Sequence, residues 1–158
     1  MKIKRIISIA LVVLIIVMSL SACGYDDVIT RWSNESGVDI SGGEQVSAED
    51  THGGFHGDGH TLLEIKYSDD KVLDAIKEND NWKELPLSEN LNDCVYESLS
   101  SVVKIPKIEN GYYYFHDRHS DSKDKFDDTD LLERPSLNFT LLMFDSDNNT
   151  LYLLEFDT

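Results

Sequence analysis

Cysteine and proline are scarce in this sequence, whose 158 residues include two cysteines and three prolines. Two cysteines cannot build a multi-disulfide framework, which excludes the small secreted scaffolds that depend on one. Cys94 shares helical spacing with Leu91, Val95 and Leu99, a pattern that is more typical of a small buried core residue than of a reactive thiol. We therefore expect an ordinary hydrophobic core to hold the fold.

Positive charge is also scarce. Lysine and arginine number 14 against 30 aspartates and glutamates, so the formal net charge is −16. A chain this acidic is repelled by phosphate backbones and by anionic lipid head groups. We expect no nucleic-acid partner and no electrostatic adsorption to a membrane.

The sequence lacks an apolar run of the roughly 20 residues that a bilayer-spanning helix needs. The apolar stretch from Ile6 to Met18 is shorter, follows Lys2, Lys4 and Arg5, and precedes small residues. A positive start, a short apolar centre and small residues before a cleavage point are the features of a signal peptide. Residues 1–22 are therefore predicted to be a signal peptide that directs export.

Residues 20–23, Leu-Ser-Ala-Cys, resemble the lipobox of bacterial lipoproteins. The resemblance implies that Cys23 becomes the mature N-terminus and carries a diacylglyceryl, palmitate-type lipid anchor at the extracytoplasmic face of the cell membrane. Two acyl chains anchor a protein stably, whereas one binds only marginally. Without the three cations of the leader, 11 basic residues face 30 acidic ones, a net charge of −19. Residues 23–43 are interpreted as the lipidated N-terminus and a partly docked tether.

The fold is predicted to be α+β, a single domain over 44–158 in which an antiparallel sheet of four or five strands packs against two helices. Residues 63–67 alternate apolar and polar side chains, as in a half-buried strand. One helix is expected after Ser68, and a second, carrying Leu91 through Val102, after Ser88.

The second half of the chain contains the clearest strand patterns. Residues 137–144 and 151–156 are predicted to form a hairpin, with the first of these strands covered on both faces. Residues 112–115 are aromatic enough to form another strand. The charged segment 117–133 is expected to be a long exposed loop.

Several catalytic and metal-binding motifs are absent. The sequence has no Gly-x-Ser-x-Gly elbow and no His-Glu-x-x-His helix motif, so it offers no recognised nucleophile or zinc-protease signature. Asp145, Asp147 and Asn149 match the start of a calcium-binding EF-hand loop. However, Thr150 replaces the required glycine and Phe156 the required glutamate. A turn explains these residues better.

All five histidines fall in two short segments, one rich in glycine and one rich in charge. Imidazole and carboxylate groups are the ligands that zinc-like divalent ions take. If the first segment is extended, its Asp and His residues share one side, with Phe55 opposite. Alternatively, the glycines serve positive φ or close approach, and a histidine only pins the loop. The candidate metal ligands are His52, His56, Asp58, His60, His116 and His119.

A second set of candidates would form an exposed binding surface. The aromatic run that includes Tyr113 could stack against a sugar or a partner protein, although alternation predicts that about half of that run is core. The glycine-rich segment and the start of the charged loop supply further polar and apolar groups. The predicted surface residues are Asp50, Phe55, Tyr113 and Asp117.

Four stretches resemble a family of small uncharacterised proteins, chiefly from Gram-positive bacteria and often predicted lipoproteins. They are the run Asp-Thr-His-Gly-Gly-Phe-His-Gly-Asp-Gly at 50–59, and residues 82–87, 108–115 and 151–158. The resemblance covers most of the mature chain. It implies no nameable activity or catalytic residue, but it implies that the two histidine segments belong to one feature of the fold.

Three functions follow as hypotheses. The first is a non-enzymatic, lipid-anchored extracytoplasmic domain that binds a protein or a small ligand. The second is a metal-dependent hydrolase that uses the histidine clusters. The third is an immunity-type lipoprotein whose negative charge suits a basic secreted toxin.

Overall fold

The computed structural model describes residues 25–53 and 57–158. The chain divides into two compact units, one ending at Ser41 and the other running from Gly42 to Thr158. In the first unit, residues 25–36 form helix α1. Ser33 Oγ donates to the carbonyl of Ile29 at 2.8 Å and accepts from the amide of Ile40 at 3.1 Å, which ties the following segment to α1. Within 25–53 and 57–158, no helix combines the length and apolar character that crossing a membrane requires.

The second unit is built on one antiparallel sheet with the spatial order β1-β2-β6-β5-β4-β3. This confirms the α+β prediction, although the sheet has six strands rather than four or five. The strands are β1 (Glu44–Asp50), β2 (Gly59–Lys66), β3 (Lys83–Glu84), β4 (Gly111–Asp117), β5 (Asn138–Asp145) and β6 (Thr150–Asp157).

The two edge strands are the ones that sequence patterning missed. All seven residues of β1 are exposed, so this strand has no alternation of apolar and polar residues to reveal it. β3 contains only two residues. By contrast, the predicted hairpin of β5 and β6 is confirmed. In β5 every residue from 139 to 145 is buried, which confirms that both of its faces are covered.

Two short helices follow β2, at the predicted places. They are α2 (Lys71–Lys77) and α3 (Glu89–Asp93), and α3 continues as a π-helical turn over Cys94–Ser98. Ser88 caps α3 as expected, because its Oγ accepts from the amide of Leu91 at 3.2 Å.

The π-helical turn changes which side chains after α3 face the core. The amide of Leu99 donates to the carbonyl of Cys94 at 2.9 Å, five residues back, so the turn holds one residue more than an α-helical turn. The helix ends at Ser98, so the residues up to Val102 form a turn and no longer follow the helical spacing. Val102 is 48% exposed and Val103 is buried, which corrects the prediction that Val102 faces the core.

The main core lies between α3 with its π-helical turn and one face of the sheet. Register places Phe139 of β5 opposite Phe156 of β6, and Leu141 opposite Leu154, so alternate residues of the central strands share this face. The core includes Leu91, Cys94, Val95, Leu99, Phe115, Phe139, Leu141, Met143, Leu154 and Phe156.

The opposite face of the sheet is buried as well. Leu63, Ile65, Leu142, Phe144 and Leu153 are each at most 1% exposed. Sequence patterning predicted cover on both faces only for β5, but β2 and β6 are buried on both faces as well. Polar residues on this second face, such as Thr61 and Thr140, are confined to the end of the sheet where β2 begins.

Candidate functional site

A groove of about 560 Å³ opens at the end of the sheet where β1 ends, β2 begins and β6 ends. The rings of His60 and Phe156 stack beside it, with centroids 6.3 Å apart. We call this cavity the His60 groove. Its lining also includes three carboxylates and one exposed apolar side chain, which are Glu49, Asp58, Asp157 and Val102.

His60 is only 5% exposed and is held by Thr51 across the β1–β2 hairpin. The His60 amide donates to Thr51 Oγ1 at 2.9 Å, and the same oxygen lies 3.0 Å from His60 Nδ1 and 3.3 Å from the His60 carbonyl oxygen. Nε2 is buried and has no hydrogen-bond partner among the described residues. The carboxylate oxygen Glu49 Oε1 lies 3.8 Å from Nε2, too far for a hydrogen bond.

Gly59 allows the hairpin to close tightly at this point. Its φ is +153°, and a Cβ added there would lie 2.6 Å from the backbone nitrogen of His52. No side chain can be accommodated so close to a backbone atom. The glycine therefore brings His52 beside the start of β2, which agrees with the expectation that glycines here serve close backbone approach.

His52 contacts two carboxylates. Its Nδ1 lies 2.8 Å from Asp50 Oδ1, and its Nε2 lies 3.2 Å from Asp157 Oδ2. Asp50 Oδ1 also accepts from the His52 amide at 3.0 Å. Partial burial acts to raise the pKa of Asp50, but these hydrogen bonds and the nearby imidazoles hold that pKa below its ordinary value.

Arg118 brings the second histidine segment to the same carboxylate. Its Nη1 and Nη2 donate to the two oxygens of Asp157 at 2.9 and 3.1 Å, a bidentate pair. Its Nε donates to Thr140 Oγ1 at 3.0 Å, and Nη2 also donates to the carbonyls of Phe139 and Phe156 at 3.0 and 3.3 Å. We call Asp50, His52, Arg118 and Asp157 the Arg118 network.

The other two histidines make contacts nearer to their own segment. His119 Nε2 lies 3.1 Å from Ser136 Oγ, and its Nδ1 accepts from the amide of Asp121 at 3.2 Å. His116 Nδ1 lies 3.3 Å from the hydroxyl of Tyr114. The two histidine segments are thus joined by the Arg118–Asp157 ion pair and by the contact of His52 with Asp157. The metal hypothesis instead requires both segments to bind one ion.

The predicted metal ligands are not gathered as a set. No group of three or more His, Cys, Asp or Glu side chains suited to a metal ion occurs within 25–53 and 57–158. The expectation that His52 and His60 share one side is wrong, because the chain reverses between them. His52 contacts Thr61, which neighbours His60 in β2 and so points to the other face. His56 lies outside the described residues, and the metal hypothesis stays a prediction.

Two of the four predicted surface residues are buried. Tyr113 is 5% exposed within the main core, and this burial raises its pKa. Asp117 is 4% exposed; it accepts from Arg134 Nη1 and, at 3.0 Å, from the amide of His119. Neither side chain can form part of an exposed binding surface. Asp50 is about half exposed, and Phe55 lies outside the described residues.

The structure describes Cys94 but not Cys23. Cys94 is fully buried in the main core, and burial raises the pKa of its thiol to about 11. A thiol of that pKa remains protonated near neutrality and is a poor nucleophile. This confirms the interpretation of Cys94 as a core residue. Cys23, the predicted lipidation site, lies outside the described residues.

Sequence patterning missed Glu49, Thr51, Arg118 and Asp157. Each depends on strand pairing, because β1 brings Thr51 opposite His60 and β6 brings Asp157 beside Arg118. One local signal was available. Arg118 is a cation between two histidines in a segment that is otherwise rich in aspartate.

Comparisons with protein-family models, with curated proteins and with solved structures find no match for this chain. The function must therefore be inferred from the chemistry of the His60 groove and from the sequence of the N-terminal segment.

Proposed function

We propose that the chain is a non-enzymatic lipoprotein, anchored through Cys23 at the extracytoplasmic face of the cell membrane, that binds a ligand in the His60 groove. The observation that carries the binding proposal is His60 Nε2, a buried ring nitrogen beside an open groove with no hydrogen-bond partner among the described residues. Leaving a buried polar atom unpaired costs about 1–3 kcal/mol. A ligand that supplies the missing bond removes this penalty.

The composition of the groove supports binding. It combines an exposed apolar side chain, Val102, with a small number of polar groups at fixed positions. Ligand sites are typically concave and partly apolar, with a few polar groups that orient the ligand. The groove is formed by strand ends and by the segment after α3, so a rigid sheet holds its polar groups in place.

The anchoring proposal rests on the sequence of residues 1–23. The leader is too short to span a bilayer comfortably, and Leu20–Cys23 resembles a lipobox. The mature chain has 11 basic and 30 acidic residues, a net charge of −19, so anionic lipids would repel it. The diacylglyceryl group would supply the membrane affinity.

Anchoring is tested by growing bacteria that express the full chain with an alkyne analogue of palmitate. We expect the wild-type protein to take up the label and to fractionate with membranes, and Cys23→Ala to take up none. Cys94→Ala is the matched control, since it removes the other cysteine and should retain the label. Label on Cys23→Ala, or a processed and membrane-bound Cys23→Ala protein, would contradict the proposal.

Binding is tested on the full chain in a non-ionic detergent, with ¹⁵N-labelled histidine followed by NMR. The probes are small cationic, neutral and anionic molecules, each added separately. At least one class should shift the ring resonances of His60, and Val102→Trp should abolish the shift by filling the groove. Leu132→Trp, at another exposed apolar position, is the matched control. If no class shifts the His60 resonances, the binding proposal is wrong.

A further inference from the structure

The hydrogen bonds around Thr51 indicate which His60 nitrogen carries the proton. If Nδ1 is protonated, Thr51 Oγ1 accepts from both the amide and Nδ1 of His60 and donates its own hydrogen to the His60 carbonyl. All three contacts are then hydrogen bonds. If Nε2 is protonated instead, the single hydroxyl hydrogen must serve either Nδ1 or the carbonyl, and one contact is lost. Of the two neutral forms of the ring, these contacts therefore favour the one in which Nε2 is a hydrogen-bond acceptor.

The groups next to Nε2 are acceptors as well. Glu49 Oε1 lies 3.8 Å from Nε2, too far for a direct bond but close enough for one donor nitrogen to reach both atoms. Asp58 adds a second exposed carboxylate to the lining. Neither Glu49 nor Asp58 is paired with a lysine or arginine among the described residues. The groove therefore gathers two carboxylates and a buried ring nitrogen without a lysine or arginine from the described residues to balance them.

The negative charge of the third carboxylate, Asp157, is already balanced by Arg118. Asp157 is held by the bidentate bond from Arg118, so its charge contributes less to the groove than the charges of Glu49 and Asp58. Val102 provides an apolar contact area beside these groups. The lining therefore suits a ligand with a positively charged donor at one end and an aliphatic chain behind it.

We infer that the His60 groove binds a primary ammonium group carried on an alkyl chain. An ammonium has three N–H donors and no acceptor, which matches His60 Nε2 and the carboxylates of Glu49 and Asp58. The alkyl chain lies against Val102 and Phe156. This inference rests on the proposed binding function and names the chemical class of its ligand. The ammonium belongs either to a lysine side chain of a partner protein or to a free aliphatic amine.

The test measures binding of three probes of equal chain length to the full chain in a non-ionic detergent, using the His60 ring resonances. The probes are pentylamine, pentanol and pentanoate. Pentylamine should bind at least about tenfold more tightly than the other two, since a hydrogen bond to a charged group contributes that much. Nα-acetyl-lysine methylamide distinguishes the sources. Binding as tight as that of pentylamine shows that the groove admits a lysine side chain attached to a polypeptide, and weaker binding restricts the ligand to a free amine.

Three variants locate the contacts. Glu49→Gln and His60→Phe should each weaken pentylamine binding about tenfold. Because His60→Phe lacks the reporting ring, titration calorimetry measures its affinity and that of the wild type. The second keeps an aromatic ring against Phe156, and because Glu49 is exposed the first should leave the urea midpoint unchanged. Glu44→Gln makes the same charge change at the far end of β1 and should alter binding less than about twofold.

The outcomes separate this inference from the proposed function. If pentanol or pentanoate shifts His60 as strongly as pentylamine, the groove binds ligands but the ammonium inference is wrong. If Glu44→Gln weakens binding as much as Glu49→Gln, the amine is attracted by overall charge alone and the inference also fails. If no probe of any charge reaches His60, the binding function itself is contradicted.

Discussion

His52 and His60 lie on opposite faces of the same hairpin, and they differ in what their ring nitrogens contact. Both nitrogens of His52 lie within 3.2 Å of a carboxylate oxygen, and one of those carboxylates is held in turn by Arg118. His60 has a partner for Nδ1, but its buried Nε2 has none among the described residues. His52 thus completes a structural network, whereas His60 has one ring nitrogen beside the groove that can still form a hydrogen bond.

The difference shows why a cluster of histidines in sequence is a poor indicator of a shared site. His52 and His60 are eight residues apart, but the hairpin turns their side chains to different surroundings. The Arg118 network uses its polar groups to join the ends of β1, β4 and β6. The His60 groove keeps its polar groups available, and this is the property that a binding site requires.

The largest expected effect comes from breaking the Arg118 network. Arg118→Met removes the bidentate bond to Asp157 and the bonds to Thr140 and two carbonyls. Because Arg118 and Asp157 are each only about a quarter exposed, the loss should lower the free energy of unfolding by about 2–3 kcal/mol. Urea denaturation measures it. Lys71→Met, which breaks a fully exposed pair with Asp69, is the control and should leave the midpoint unchanged. Equal effects would show that the network is not structural.

Gly59→Ala should cause the next largest loss in the free energy of unfolding, because this glycine allows the start of β2 to approach the backbone of His52. Its Cβ would press on the backbone of His52, at a φ that side chains rarely adopt. Strain of this kind costs about 1–3 kcal/mol. The contacts of His52 should loosen, seen as a change in its NMR resonances. Gly42→Ala, also at positive φ but with open space around it, separates the conformational cost from the collision. If the two variants are equally destabilised, the close approach has no importance.

Replacing each histidine by phenylalanine compares the two sites directly. His52→Phe leaves Asp50 and Asp157 without an imidazole partner and should destabilise the fold by about 1 kcal/mol. His60→Phe keeps the stacked ring, loses the Nδ1 contact with Thr51 and removes the unpaired buried Nε2, so two opposing effects offset and the change should stay within about 0.5 kcal/mol. Thermal and urea unfolding of the two variants give the comparison. A larger loss for His60→Phe would mean that Nε2 has a structural partner, and the ligand proposal would lose its basis.

Local patterns predicted the core of the fold but not its edges or its site. The strands β5 and β6 consist largely of apolar residues, because both of their faces are buried. This run of apolar residues is what made the hairpin predictable. β1 is buried on neither face, so its sequence contains no such signal. Val102 is exposed because the helix ends at Ser98 after a π-helical turn, and a regular helical repeat does not reveal where that helix ends.

The site was predicted only in part because its contacts join residues far apart in the chain. The glycine-rich segment does contain the key histidine, and its glycine does serve close approach. The partner of His52, Asp157, is 105 residues away, and the partner of Arg118 is 39 residues away. Only the strand order of the sheet brings these side chains together. The tally of histidines therefore suggested a metal site more strongly than the geometry supports.

The smallest expected effect is a dependence of stability on pH through Asp50. Partial burial acts to raise the pKa of Asp50, but hydrogen bonds from His52 and the charges of the nearby imidazoles hold the folded pKa below its ordinary value of 3.8. The stabilisation is therefore fully present above the unfolded pKa and is lost as pH falls through the lower folded pKa. The difference in urea midpoint between wild type and Asp50→Asn should be largest near neutrality and should shrink below about pH 4. Since Asp50 is about half exposed, solvent screening keeps this difference smaller than the others.

The control is the same comparison in a His52→Phe background. There the difference in urea midpoint should be reduced but not abolished, because the amide at position 52 still donates to Asp50. A difference that does not change between pH 7 and pH 3 would show that Asp50 is not held by His52, and the Arg118 network would then end at Asp157.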